Sequence, residues 1–142
     1  MHKISFTKLA RLAVIPAMIA GATMAGPSAS AADGNLEAFS VCFKNSDCNM
    51  GYTSGTIYWP TRELNGKVVS RVGGDYSTTA VFEAFSGTGV KLGSETRTSR
   101  DGAVSFGPMY FHLMTTRVKI TVCQNWADGS SDCGSPENYS YG

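Results

Sequence analysis

The sequence predicts an all-β protein: a single small β-sandwich, immunoglobulin-like or Greek key, of about seven or eight short strands with two disulfides. Three observations carry that expectation. Apolar and polar residues alternate with a period of two along several short runs. Glycine-rich and Asx-Gly turns separate these runs at regular spacing. Beyond the first thirty or so residues no stretch keeps a helical period. A closed barrel is the alternative arrangement of the same strands.

The chain opens differently from its remainder. Met1 to Arg11 carries three basic residues and no acid, Leu12 to Met24 is apolar apart from Thr23, and Ala25 to Ala32 is a small-residue stretch. This is the order of a secretory signal, with Ala29-Ser30-Ala31 matching the cleavage pattern, so residues 1–31 are expected to be removed and 32–142 to be the domain. A retained anchor needs about twenty apolar residues; this run is shorter and is broken by Pro16 and Gly21. The expectation is a secreted, extracellular protein with no membrane attachment after cleavage.

The strands follow in order. Phe39, Val41 and Phe43 alternate with Ser40, Cys42 and Lys44. Thr56 to Trp59 forms a second run, ended by Pro60, and Asn65-Gly66 reads as a type I′ hairpin tip with Lys67 to Val72 returning. Thr78 to Phe85 alternates again. Gly87-Thr88-Gly89 turns the chain into Val90 to Thr98, and Asp101-Gly102 reads as a further hairpin leading into Ala103 to Phe106, where Gly107-Pro108 interrupts. Arg117 to Cys123 is the clearest strand, with Val118, Ile120 and Val122 facing inward.

Charge excludes one class of partner. The chain has twelve basic and eleven acidic residues; without Lys3, Lys8 and Arg11 the domain is slightly acidic, and its bases are dispersed. No nucleic-acid footprint is expected. The cysteines Cys42, Cys48, Cys123 and Cys133 all lie in the domain. An even count in an exported chain reads as two disulfides, and the spacing is not that of a zinc site. Ser40-Val41-Cys42 closing with Ser46-Asp47-Cys48 parallels Thr121-Val122-Cys123 closing with Ser131-Asp132-Cys133. That likeness favours two local clamps, Cys42–Cys48 and Cys123–Cys133, over a long Cys42–Cys123 bridge.

In plan the chain resembles the small secreted β-sandwich proteins that actinobacteria export. The Ala-rich leader, Ser40-Val41-Cys42 and Arg117-Val118-Lys119-Ile120-Thr121-Val122-Cys123 carry the resemblance. It implies fold and location and supplies no chemistry.

Candidate sites are few. A Ser/His/Asp hydrolase needs a histidine base, and the domain has His112 alone, between Phe111 and Leu113, which reads as a strand-face or edge residue. Glu83, among Val81, Phe82 and Phe85, is the carboxylate that burial would raise in pKa, although an outward strand position accounts for it equally. Asp128-Gly129-Ser130-Ser131-Asp132 and Asn45-Ser46-Asp47-Cys48-Asn49 alternate oxygens but lack the glycine and glutamate of a calcium loop. Neither a metal site nor a cofactor is therefore expected.

Aromatic residues give the best lead. Tyr58, Trp59, Arg62 and Trp126 are of the types that dominate binding hot spots and are the expected binding residues, with Trp59 as core tryptophan the competing assignment. Tyr139 and Tyr141 extend that face or cover an edge. Secreted bacterial amylase inhibitors are similar in displaying an aromatic-arginine cluster on a two-disulfide β-scaffold; this chain lacks their Trp-Arg-Tyr triplet and has different cysteine spacing. The expected function is a non-enzymatic binding protein for an extracellular protein or glycan, an inhibitor of a secreted hydrolase being one form of it. The alternative is a small secreted hydrolase using His112 or a carboxylate.

Overall fold

A computed structural model describes residues 34–44 and 47–142. The expected signal segment, the expected cleavage site and Asn45-Ser46 lie outside the described residues. Within them the chain forms nine strands and no helix: β1 (Leu36–Lys44), β2 (Asp47–Tyr58), β3 (Glu63–Ser70), β4 (Ser77–Ser86), β5 (Lys91–Ser99), β6 (Gly102–Tyr110), β7 (Thr115–Asn125), β8 (Ser131–Cys133) and β9 (Glu137–Ser140). They build two packed sheets, ordered β1-β2-β3-β6 and β5-β4-β7-β8, with β9 also pairing with β7. The expected sandwich is what forms. Its order departs from the A-B-E-D and C-F-G sheets of immunoglobulin constant domains, because β1, β2 and β3 run as a meander.

Alternation explains the core. Phe39, Val41 and Phe43 of β1, Ile57 of β2, Leu64 and Val68 of β3, and Val118, Ile120 and Val122 of β7 are all buried. Beside β7 in the second sheet, Ala80, Phe82 and Ala84 of β4 alternate with half-buried Thr79, Val81 and Glu83. Phe82 is the hub, its ring edge-on to Phe39 at 6.0 Å and to Phe106 at 5.1 Å. Burying each of the larger of these side chains stabilises by roughly 1.5–3 kcal/mol, so these central positions decide the fold.

The two sides of the sandwich are finished differently. On one, β1 of the first sheet meets β8 and β9 of the second. The Ser40 N–H donates to the Tyr139 hydroxyl at 3.3 Å, Phe39 and Tyr139 pack edge to face at 6.1 Å, and Lys44 pairs with Asp132 at 3.3 Å. Gly134 lies so close to the Phe43 carbonyl that any Cβ would collide with it. On the other side β5 and β6 are open edges. The positions of β5 opposite Phe82 and Ala80 are Glu95 and Arg97, and inward-pointing charges on an edge strand discourage pairing with another chain.

Several sequence expectations are corrected. Asn65-Gly66 is not a hairpin tip. Both residues lie inside β3, opposite Thr56 and Gly55 of β2. Gly66 is needed there for close approach, since a Cβ would strike Ser54 O and the Phe106 ring. The true β2–β3 turn is Trp59-Pro60-Thr61-Arg62, closed by the Arg62 N–H to Trp59 O at 3.2 Å, with Arg62 in the left-handed region at φ 56°. Asp101-Gly102 also makes no hairpin: β5 and β6 belong to different sheets, so the turn is a corner between them. β6 runs through Gly107-Pro108, a cis peptide, to Tyr110. The short β8 and β9 raise the strand number to nine.

Both disulfides are the local clamps, Cys42–Cys48 and Cys123–Cys133, as the repeated Val-Cys…Ser-Asp-Cys pattern suggests. Cys123 and Cys133 stand directly opposite each other on β7 and β8.

Candidate functional site

Three loops and the chain end converge at one end of the sandwich. The 59–62 turn and the 111–114 loop are tied together by the Phe111 N–H to Arg62 O at 3.1 Å and by Arg62 Nε to Thr115 O at 2.9 Å. Thr115 begins β7 opposite Ser86, where β4 enters its turn. The Tyr141 N–H donates to Thr116 O at 2.9 Å, bringing the C-terminal residues to the same place.

On the outer face of the first sheet, the register aligns Leu36, Tyr58, Glu63 and Tyr110 in one cross-strand row over β1, β2, β3 and β6. Directly opposite residues share a face. Leu36 is 43 % exposed, Tyr58 40 % and Tyr110 60 %, so three large apolar bodies stand in water side by side. Tyr58 and Tyr110 are two strands apart, about 10 Å at the spacing of a sheet. Between them Glu63 accepts from Asn65 Nδ2 at 2.6 Å. The rows beyond carry Ala38, Thr56 and Asn65, then Ser40, Ser54, Lys67 and Ser105, and then Cys42, Tyr52, Val69 and Ala103. Tyr58 and Tyr110 therefore stand above the two rows next to them, with Tyr52 and Val69 three rows away.

At the tip, Arg62, Ser86, Gly87, Thr88, Leu113, Met114 and Thr116 line an open cavity of about 340 Å³. Leu113 and Met114 are among the most exposed apolar residues of the chain. A second cavity, of about 530 Å³, lies by Lys44, Asp132 and the Cys133–Pro136 segment at the closed side. It is polar and belongs to the seam that joins the sheets.

The four binding residues expected from sequence do not form one face. Trp59 is buried in the core, 1 % exposed, with Nε1 donating to Glu37 Oε2 at 2.9 Å and its ring against Tyr141 at 5.7 Å. Tyr58, its neighbour, points the opposite way because β-strand side chains alternate. Arg62 is half-buried, donating to the carbonyls of Trp59, Pro60 and Thr115 and lying over the Tyr141 ring. Trp126 is at the other end, following β7, half-buried edge-on to Tyr76 at 5.5 Å. Thr115 and Asn125 bracket β7, so roughly 30 Å of strand separates Arg62 from Trp126. Tyr58, Trp59 and Arg62 lie at the converging end, but Trp59 points into the core. Tyr139 covers the β1 edge, and burial raises its phenol pKa.

Of the titratable candidates, Glu83 takes the outward-facing alternative and His112 is corrected from a strand to a loop position. Glu83 faces outward and is held between Lys91 at 2.6 Å and Lys119 at 2.7 Å. Hydrogen bonds from Lys119 first, then Lys91, lower its pKa, where burial in the core would have raised it. His112 is on the exposed 111–114 loop and not on a strand, its Nδ1 accepting the Met114 N–H at 3.0 Å. Asp128 accepts the Ser130 N–H at 2.8 Å and its hydroxyl at 2.6 Å, a turn contact that lowers the carboxyl pKa. Among the described residues no group of three or more His, Cys, Asp or Glu is gathered to hold a metal ion.

Tyr110, Leu113 and Met114 are the site residues that sequence reading passes over. A signal was present: Tyr110-Phe111-His112-Leu113-Met114 is a dense run of large side chains outside any alternating pattern. Such a run cannot all face inward, and the structure leaves four of the five exposed. No protein-family model matches the chain, and neither a curated protein nor a solved structure shows significant similarity to it.

Proposed function

We propose that this chain is a small secreted, non-enzymatic binding protein whose contact surface is the Tyr58–Glu63–Tyr110 row. The observation that carries the reading is the exposure of these two tyrosines with Leu36, next to two rows of mostly small and polar residues on the same sheet face. Contiguous exposed apolar bodies mark interaction surfaces. Tyrosine is also suited to that use, offering an apolar ring and a polar hydroxyl at low entropic loss. A flat face with two rings about 10 Å apart fits an extended glycan or the flat surface of an extracellular protein. A secreted hydrolase held in this way is one such partner.

Location outside the cytoplasm is supported by two disulfides in so short a chain together with the basic, apolar and small-residue order of the leader. Two observations favour binding over hydrolysis: His112 is exposed in a loop with Nδ1 already occupied, and Glu83 is ion-paired on both oxygens.

The test is capture from culture medium on the immobilised, oxidised protein and on a Tyr58→Ser/Tyr110→Ser variant of matched thermal stability. A partner retained by the first and lost by the second is the expected result. Equal retention by both removes the row from the account. A hydrolytic activity of the wild type that disappears in His112→Ala overturns the non-enzymatic reading altogether.

A further inference from the structure

The loop-end cavity is separate from the tyrosine row, and neither Tyr58 nor Tyr110 lines it. Its distinguishing group is Arg62. At φ 56° Arg62 holds a backbone conformation that glycine or asparagine adopts far more readily. Strain kept at a side-chain-bearing residue points to a use for the side chain. Part of that use is visible: Nε and Nη1 bind the carbonyls of Thr115, Trp59 and Pro60. These contacts fix the guanidinium plane, and Tyr141 supports one face of it. They supply no charge. No carboxylate among the described residues pairs with Arg62, although Lys44, Lys91, Arg97 and Lys119 each have one. Nη2 has no hydrogen-bond partner among the described residues.

Around this fixed, half-buried cation the cavity presents two kinds of wall. Thr116 offers a hydroxyl, Ser86 and Thr88 a hydroxyl pair bonded to each other at 3.0 Å with Ser86 Oγ also accepting the Val90 N–H, and Leu113 and Met114 offer exposed apolar surface. Guanidinium with neighbouring hydroxyls suits a carboxylate, and the Leu-Met wall suits a short hydrocarbon body. The volume, about 340 Å³, is at the small end of the range of roughly 300–1,000 Å³ for small-molecule sites. We infer that this cavity binds a small amphipathic carboxylate, its oxygens on Arg62 and the Thr88 side and its chain along Leu113 and Met114.

Titration of the oxidised protein with hexanoate, hexanol and hexylammonium, followed by amide NMR shifts, tests this directly. Hexanoate is expected to give saturable shifts confined to residues around Arg62, Thr88, Leu113 and Met114. Hexanol and hexylammonium are expected to bind at least about tenfold more weakly, a difference of one step in log affinity. Two variants isolate the cation. Arg62→Gly removes the guanidinium while relaxing the left-handed backbone, and Thr88→Glu, in an exposed turn, places a competing carboxylate beside an intact Arg62. Both are expected to lose hexanoate binding by about tenfold or more. Equal affinity for hexanol and hexanoate, or undiminished binding by Thr88→Glu, would overturn the assignment. So would a peptide ending in a free leucine carboxylate that binds more tightly than hexanoate, since the site would then be a peptide-end site. Loss of the tyrosine row's partner in the capture experiment leaves this titration unaffected, so the two proposals fail independently.

Discussion

Trp59 shows how much one side chain can carry. It is the largest fully buried residue, and it links the core to Glu37 through its indole N–H and to Tyr141 through its ring. Trp59→Ala should destabilise by about 3–5 kcal/mol, the range for truncating a buried aromatic, as read by urea unfolding of the oxidised protein. Glu83 is the converse case, an outward carboxylate between two lysines. Its pKa is lowered in the folded state, so its contribution is full above the unfolded value and is lost as the pH falls through the folded value. Stability should therefore decline as pH drops below about 5. Glu83→Gln should flatten that decline and remove about 1 kcal/mol at neutral pH, since it leaves Lys91 and Lys119 facing each other and Arg117 over Phe85. Unfolding measured across pH on the two proteins checks both statements. At this scale the sequence was only partly legible. The aromatic and arginine types near residue 60 were visible, but Tyr58 and Trp59 face opposite ways, and which way follows from a register that no local pattern states.

Strands were easier to read where one face is fully apolar. β1, β4 and β7 alternate cleanly because each packs on the facing sheet, and their positions follow from the residues alone. Asn65-Gly66 misleads for a physical reason. The pair has the composition of a type I′ turn, but a glycine serves equally where two backbones must approach, and Gly55 opposite Gly66 makes that approach possible. Gly66→Ala should therefore destabilise by roughly 1–3 kcal/mol through overpacking. Gly73→Ala, with open space around it and an ordinary backbone, should be neutral or slightly stabilising, by up to about 1 kcal/mol. Denaturant midpoints of the two variants check the contrast. The Cys123–Cys133 clamp holds β8 against β7, and Cys123→Ser/Cys133→Ser should lose about 2–3 kcal/mol in the loop-entropy account, seen as a lower Tm. The same variant should free the β7 edge near Asn125 to hydrogen exchange while leaving the tyrosine row protected.

In the whole molecule, the site depends on pairings between distant segments. β3 pairs with β6 and β4 with β7, so β6 and β7 bring Tyr110, Leu113 and Met114 to the turn that carries Arg62. Fold class, disulfide pairing and most strands could be read from composition and alternation, since these are local. The converging end could not, because it is made by contacts between residues about fifty apart, such as Arg62 with Thr115. The central claim is that β2, β3 and β6 pair in a register that sets Tyr58, Glu63 and Tyr110 side by side. Interstrand backbone NOEs of the oxidised protein test it most directly. The expected result is contact between Tyr58 and Glu63, between Glu63 and Tyr110, and between Thr56 and Asn65. Contact between Leu64 and Lys67 across an Asn65-Gly66 tip, with no Tyr58–Glu63 contact, would contradict the register and the binding row built on it.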